Sequence, residues 1–403
     1  MGEQALYGLK VVELGEFISA AYCSKMLADL GAEVIKIEAP DLGDESRRHG
    51  PFQNDIPHIE KSGLFLYLNN NKMGITLNVR AKAGREILLE LLKETDIIVE
   101  NNPPQFMKDF AIDYSVLKEI NPRLIMTSIT PYGQTGPYKD YKGYDLNSQI
   151  LGGQGRGLGN PNREPLTFQP LHGHYQGAIS GAAATMIALF SRDITGLGQH
   201  VDISEMQCIA SLQGGAAMST FKFMDLKVSR SGHRGQDIMW PYGIFPCIDG
   251  NFAIITLEFE HWKKFAKAMG SPEWATNPKY TSIYSMAEDA DELEAHLIDW
   301  MMDHTKEEIA RICFENDLPF QPVNNMKDLW ENEQLKARNY FVEITHPEAG
   351  TYKYPGAPAR LSKTPWRIVR NAPLLGEHNE AIYCNRLGYS QEELFKMQKD
   401  GII

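Results

Sequence analysis

The first forty residues alternate between short apolar runs and a helical pattern, and this limits the fold more than any other feature. Residues 9–14 (LKVVEL) form a run rich in valine and leucine that is typical of a strand. Apolar positions at helical spacing follow in residues 20–31 and end at Gly31, and residues 34–38 (VIKIE) predict a second strand. Strand, helix and strand in this order form a βαβ unit, so the sequence predicts a parallel sheet.

The alternation continues along the chain and predicts an α/β fold. The later predicted elements are a helix at 81–96, a strand at 97–100, a short helix at 114–122, a strand at 124–129, a small-residue helix at 175–191, and a strand running into a helix at 198–206. Residues 130–173 are rich in Gly, Pro, Tyr and Asn, so we expect loops there. After residue 225, a hairpin around Asp249-Gly250 and three amphipathic helices predict a smaller α+β unit. A final helix is expected at 390–401.

Composition excludes several classes of function. The chain has 40 basic and 52 acidic residues and a net charge of −12, so we expect neither nucleic acid nor an anionic membrane as a partner. The longest nearly apolar stretch, residues 177–190, is too short to span a bilayer. Five widely spaced cysteines without a CxxC pair predict free thiols, no zinc or other metal site, and a cytoplasmic location.

Motifs narrow the chemistry further. No GxGxxG follows the first strand, which argues against an NAD-dependent oxidoreductase, and no GxSxG supports an α/β-hydrolase. His172 and His174 form an HGH sequence. This pair has two interpretations, a metal pair or general base on the one hand, and polar residues entering a packed helix on the other.

Several longer segments carry a resemblance. They are LKVVELGEF with AAYCSKMLADLGAEVIKIEAP, then LNNNKMGITLNV, TDIIVENNPP, GYDLNSQILGG, GLGQHVDISEM, PYGIFPCIDGNFAI and APLLGEHNEAI. In this order they resemble the class III CoA-transferases, the family of formyl-CoA and carnitine CoA-transferases, from about residue 7 to the end of the chain.

The resemblance implies an architecture and a reaction. It implies a Rossmann-like large domain at residues 1–205, a small α+β domain at 225–325, and a segment at 330–403 that returns to the large domain, with two subunits interlocked as a dimer. In the family an aspartate attacks an acyl-CoA and passes CoA, through a mixed anhydride and an aspartyl thioester, to an acceptor acid. CoA thioester is then a substrate, and no covalently bound cofactor is expected.

The sequence departs from the family where this chemistry lies. A count back from Ala188-Leu189 places His174 at the position of the nucleophilic aspartate, and no Asp or Glu occurs between Glu164 and Asp193. Asp109 also stands at the position of an arginine near the CoA phosphates, with Lys108 beside it. We therefore expect no catalytic residue of the family type in this chain.

Other positions match the family's CoA-binding regions. The residues that the resemblance assigns to CoA binding are Ile18, Ser19, Leu77, Arg80, Asn101, Lys108, Lys142, Tyr144 and Asp145. Whether this chain binds the thioester, or only a partner does, stays open.

These matches and departures together predict an accessory subunit. Its partner would be a homologous catalytic CoA-transferase subunit, as in the benzylsuccinate CoA-transferase of anaerobic aromatic degradation, with succinyl-CoA as donor and benzylsuccinate as acceptor. Two alternatives remain. One is an isomerase similar to α-methylacyl-CoA racemases, and the other is a CoA-ester binding protein without catalysis.

Overall fold

A computed structural model describes residues 4–213, 218–225, 230–235 and 238–403. The chain divides into two compact units. The larger unit comprises Met1–Gln154, Thr167–Met218 and Ala337–Ile403, and the smaller comprises Gly155–Leu166 and Ser219–Lys336.

The larger unit is built on a six-stranded parallel sheet in the order β3-β2-β1-β4-β5-β6. The strands are β1 Lys10–Leu14, β2 Glu33–Glu38, β3 Lys72–Thr76, β4 Ile97–Glu100, β5 Ile125–Thr130 and β6 His200–Ser204. This is the doubly wound order, in which the direction of winding reverses between β1 and β4 and opens a crevice at their carboxyl ends. The predicted α/β fold with a parallel sheet is confirmed.

The helices of both units follow in chain order. They are α1 Ser19–Asp29, α2 Gly63–Leu68, α3 Lys82–Leu92, α4 Pro104–Asp109, α5 Tyr114–Ile120, α6 Asp145–Leu151, α7 His172–Thr195, α8 Glu205–Leu212, α9 Ser219–Met224, α10 Phe259–Ala268, α11 Ile283–Ala287, α12 Ala290–Met301, α13 Lys306–Glu315, α14 Met326–Glu331, α15 Glu333–Ala337, α16 Asn379–Tyr383 and α17 Gln391–Lys399.

Each face of the parallel sheet packs into its own apolar core, because successive strand residues point to opposite faces. In β1, Val12 belongs to the core that α3, α16 and α17 cover, whereas Val11 belongs to the core under α1 and α7. Both valines are fully buried. This two-sided burial explains why the strands read as nearly continuous apolar runs.

The smaller unit is an antiparallel sheet covered by helices. Its strands are β7 Tyr242–Cys247, β8 Gly250–Ile255 and β9 Gln321–Pro322, and β7 and β8 form the hairpin predicted around Asp249-Gly250. Its core is aromatic and centres on Trp240, Trp262 and Phe265. A second hairpin, β10 Phe341–His346 and β11 Gly350–Pro355, belongs to the larger unit and was not predicted.

The expectation of loops throughout residues 130–173 is wrong in two places. Residues 145–151 form α6, and α7 begins at His172, three residues before its predicted start. Local capping explains the first difference, since the Asn147 side chain accepts a hydrogen bond from the Tyr144 backbone N–H. Within the residues that the structure describes, no helix is both long and apolar enough to cross a bilayer.

Candidate functional site

His174 lies in the first turn of α7 and forms a close pair with a glutamate. Its Nδ1 atom is 2.8 Å from the Oε1 atom of Glu205. Glu205 is the first residue of α8 and directly follows the carboxyl end of β6. The pair therefore sits at the edge of the sheet where ligands of parallel α/β folds bind.

The Glu205 carboxylate is held in place on both oxygens. Its side chain is 2% exposed, and Oε2 accepts a hydrogen bond of 3.2 Å from the Ser148 hydroxyl of α6. Gly177 of α7 makes room for it, because a Cβ at this position would lie 2.9 Å from Glu205 Cγ. Glu205 is thus a fixed partner of the imidazole.

Asp145 caps the helix that carries His174. Its two oxygens accept hydrogen bonds from the backbone N–H groups of Leu171 (2.8 Å) and Gly173 (2.7 Å), and Gln149 donates a third bond. The first N–H groups of a helix have no partner within the helix, and a carboxylate at this end satisfies them. The structure therefore brings the predicted residue Asp145 next to His174.

Charge around the imidazole favours its protonated form. Burial alone would lower the pKa of His174, but the hydrogen bond and negative charge of Glu205, with the charges of Asp145 and Glu45, raise that pKa above its ordinary value. Position 174 therefore presents an imidazole bound to a carboxylate that favours its protonation, in place of an aspartate.

The loop between β1 and α1 brings an aromatic ring to the same place. Phe17 adopts a left-handed backbone conformation (φ 66°), and its N–H donates to Asp44 Oδ1 at 3.1 Å. Its ring meets the His174 imidazole edge-on, with 5.8 Å between centroids. Asp44 in turn receives a hydrogen bond of 2.7 Å from the buried Lys36, so buried charges fix the position of Phe17.

Three tyrosines extend this aromatic surface. The Tyr22 ring lies 4.9 Å from that of Tyr175, which follows His174 in α7, and 6.3 Å from that of Tyr67. With Phe17 they surround a small apolar cluster, so the neighbourhood of His174 is aromatic on one side and acidic on the other.

A crevice of about 530 Å³ opens at the carboxyl ends of β1, β2 and β4. Leu77 and Arg80 line it, together with Glu16, Pro103 and Phe106. The Arg80 guanidinium lies 5.1 Å from the centre of the Phe106 ring, which holds this cation at the crevice wall. Two of the residues predicted to bind CoA therefore share one cavity.

Other predicted residues support the crevice from outside it. The Asn101 side chain bonds both the N–H and the C=O of Glu16 and donates to the Ser19 hydroxyl. Ile18 is fully buried in the apolar cluster beside α1.

The remaining predicted residues do not line the crevice. Lys108 lies on α4 beside Asp109, which Gln105 engages at 2.6 Å. Lys142 and Tyr144 are exposed in the loop that precedes α6.

Sequence reasoning missed Glu205 and Phe17. A signal for Glu205 was present, because it stands at the end of a predicted parallel strand, where functional side chains gather. Nothing in the sequence pointed to Phe17, whose position depends on a left-handed backbone and on the distant Asp44.

Comparison with known proteins agrees with the resemblance seen in the sequence. The sequence profile of CoA-transferase family III matches residues 6–379. Formyl-CoA:oxalate CoA-transferase from Streptomyces coelicolor is 30% identical to this chain, and the alignment covers 100% of both proteins. The β subunit of succinyl-CoA–L-malate CoA-transferase from Chloroflexus aurantiacus is 29% identical over 99% of this chain and 98% of its own length.

A solved structure shares the fold as well. The crystal structure of a CaiB/BaiF family protein from Brucella suis superposes with a TM-score of 0.84 at 28% identity, covering 95% of this chain and 100% of that one. The family resemblance of the sequence is thereby confirmed, and this chain belongs to CoA-transferase family III.

Proposed function

We propose that this chain is the accessory subunit of a heteromeric family III CoA-transferase, whose partner subunit carries the nucleophilic aspartate. The observation that carries this proposal is the residue at position 174. A histidine bound to Glu205 stands where the family resemblance puts the nucleophile. An acylimidazole cannot become the carboxyl thioester on which the family's transfer depends.

Among the described residues, the two carboxylates beside His174, those of Asp145 and Glu205, offer no replacement. Asp145 is committed to the N-terminus of α7 and to Gln149, and Glu205 is committed to His174 and Ser148. A carboxylate that accepts several hydrogen bonds from fixed donors is stabilised as the anion and is a weaker nucleophile. Their engagement supports a chain without the covalent step.

Binding of the CoA thioester is supported by the crevice. Its walls combine an apolar surface, including Leu77 and Phe106, with the Arg80 cation, which suits a ligand with an aromatic base and phosphates. We propose that this chain binds CoA esters here. The resemblance assigns position 109 to an arginine near the CoA phosphates, and an aspartate there repels them as a like charge, so we expect weaker binding than in a catalytic subunit.

The substrates and the assembly belong to the same proposal. We propose succinyl-CoA as donor and benzylsuccinate as acceptor. The aromatic surface of Phe17, Tyr22, Tyr67 and Tyr175 supports an aromatic acid. The relative named as a β subunit supports a heteromer. We propose an interlocked pair of homologous subunits. In each, the large domain begins with residues 1–205, the small domain is residues 225–325, and residues 330–403 return to the large domain. A cytoplasmic location accords with five free cysteines.

Native mass spectrometry of the protein purified from its source cells tests this proposal. The expected result is a complex that holds a second chain of similar mass. Reconstitution then separates the roles: this chain alone transfers no CoA, the complex does, and His174→Ala in this chain changes the transfer rate less than about threefold.

CoA transfer by a homomer of this chain would overturn the proposal. A homomer that binds CoA esters but performs no reaction would favour the alternative of a binding protein without catalysis.

A further inference from the structure

The two nitrogens of His174 have different surroundings. Nδ1 is bound to Glu205 at 2.8 Å. Nε2 has no hydrogen-bond partner among the described residues. It is also absent from the fully buried unpaired polar atoms of this part of the chain, so it retains contact with solvent. Water can therefore reach the nitrogen that faces away from the carboxylate.

This arrangement is that of a general base. A carboxylate on one nitrogen fixes the ring orientation and stabilises the imidazolium that forms when the other nitrogen accepts a proton. Glu205 is itself fixed by Ser148 and by burial between α7 and α8, so the pair is rigid. The accessory-subunit proposal gives this pair no task.

We propose that this chain hydrolyses CoA thioesters, with His174 as the general base for water and Glu205 as its positioning residue. The inference goes beyond the accessory-subunit proposal, in which this chain carries out no reaction. The two share only the binding of a CoA ester to this chain.

The step balances with water as the only co-reactant. Nε2 takes a proton from water while the water oxygen bonds to the thioester carbonyl carbon, and the carbonyl electron pair moves to oxygen. The tetrahedral intermediate collapses, the C–S bond breaks, and the sulfur leaves with the electron pair. The imidazolium returns its proton to that sulfur, so the products are the free acid and CoA thiol.

The acidic surroundings suit the second half of this step. Glu205, Asp145 and Glu45 all stabilise the imidazolium, which is the form that must deliver a proton to the departing thiolate. They also disfavour an ionised nucleophile beside them, which leaves water as the attacking group.

The test uses the protein as purified, with succinyl-CoA as the probe and no acceptor acid. Free CoA is measured by chromatography. We expect His174→Gln to lower the hydrolysis rate by roughly 10²- to 10⁴-fold, the range of general-base catalysis. The matched control is His233→Gln, because His233 also pairs with a glutamate, Glu294, at 2.8 Å, but in the smaller unit. This control is expected to leave the rate unchanged.

The pH profile separates a positioning role of Glu205 from a merely structural one. The free base is needed, so the rate should rise with pH through the raised pKa of His174. The charges that face the imidazole are Glu205 on α8, Asp145 on α6 and Glu45 in the loop after β2. Glu205→Gln removes the largest of these, so it should slow hydrolysis and move the midpoint to lower pH.

Three results would overturn the inference. They are an unchanged rate in His174→Gln, acylation of this chain itself in intact-mass spectra, and binding of succinyl-CoA without hydrolysis, whether or not its C2 protons exchange with D₂O. Native mass spectrometry decides the heteromer separately, so either idea can fail while the other stands.

Discussion

Two fully buried glutamates in neighbouring strands have opposite acid–base behaviour. Glu13 of β1 lies beside β4, and the next residue, Leu14, pairs with Glu100. The pKa of Glu13 is about 2, whereas burial raises the pKa of Glu100 to about 7. Both side chains are removed from water, so burial alone does not decide their charge.

The difference lies in the neighbours. Burial opposes ionisation of Glu13 as well, but Lys36 at 2.6 Å and Lys72 at 2.7 Å overcome it. Among the described residues Glu100 has only neutral donors, which are the backbone and side chain of Asn102 and the Ser128 hydroxyl, and one of its oxygens has no partner there. Cations from two other strands thus turn one buried carboxyl into a permanent anion.

The largest loss of stability should come from breaking the buried cluster of Glu13, Lys36 and Lys72, which we call the Glu13 cluster. Glu13→Gln leaves Lys72 buried without a carboxylate partner among the described residues, and Lys36 keeps only Asp44. Removing one member of a buried ion pair costs about 3–5 kcal/mol in the free energy of unfolding. Urea unfolding at pH 7 measures this loss.

The control for this substitution is Glu94→Gln. Glu94 pairs with Lys10 on the surface, where water screens the pair, so stability should hardly change. Equal losses in the two variants would mean that the Glu13 cluster contributes no more than a surface pair.

The second prediction concerns Glu100→Gln, which should raise the free energy of unfolding by an amount that depends on pH. The folded chain keeps the Glu100 proton up to about pH 7, while the unfolded chain loses it near 4.5. Stability therefore falls as pH rises from about 4.5 to 7, by about 3 kcal/mol in total. Glu100→Gln removes this loss, so the variant should gain relative to wild type between pH 5 and pH 8 in urea unfolding.

Stability curves of Glu100→Gln and wild type that run parallel from pH 5 to pH 8 would contradict this assignment. They would show that Glu100 ionises in the folded chain as it does in the unfolded one.

The two glutamates also show which features the sequence could predict. It predicted strands, but not the contacts between their buried charged side chains. The strands were predictable because β1 and β2 are apolar runs buried on both faces. The meeting of Glu13, Lys36 and Lys72 was not, because it depends on the register of three parallel strands. β3 itself was missed, since its sequence KMGIT is short and includes a glycine.

The candidate site was predictable to the same limited extent. Counting along the resemblance found His174, but its partner Glu205 lies 31 residues further on and reaches it only through the packing of α7 and α8. The role of Asp145 as a cap could not be read from its spacing to Leu171 and Gly173, because a chain of some 25 residues intervenes.

The third prediction applies the same comparison of buried carboxylates to the candidate site, at His174 and Glu205. His174→Asp places a carboxylate where Glu205 now has an imidazole partner that can be protonated. Two like charges in a buried site resemble Glu13 without its lysines, so we expect a loss of about 2 kcal/mol at pH 7 and a smaller one at pH 5. Unfolding at the two pH values measures it.

Adding Glu205→Gln to His174→Asp should restore most of that stability, because one of the two carboxylates is gone. A double variant as unstable as the single one would point to lost packing of the imidazole against Phe17 instead of charge repulsion.

The smallest effect concerns the cap of α7. In Asp145→Asn one oxygen becomes an NH₂ group that faces backbone donors, so we expect a loss of about 1 kcal/mol. Asp113→Asn is the matched control, because Asp113 caps α5 through Oδ1 alone, and an asparagine oxygen can replace it. Thermal unfolding compares the two.

Charge and capping can be separated in the same variant. The negative charge of Asp145 helps to raise the pKa of His174, so Asp145→Asn should also lower the midpoint of the His174 resonance in an NMR titration. A lower midpoint with full stability would make Asp145 chiefly an electrostatic partner of the imidazole. Lost stability with an unchanged midpoint would make it a cap alone, and Glu205 would then hold the imidazolium as the lysines hold Glu13, by direct contact between opposite charges.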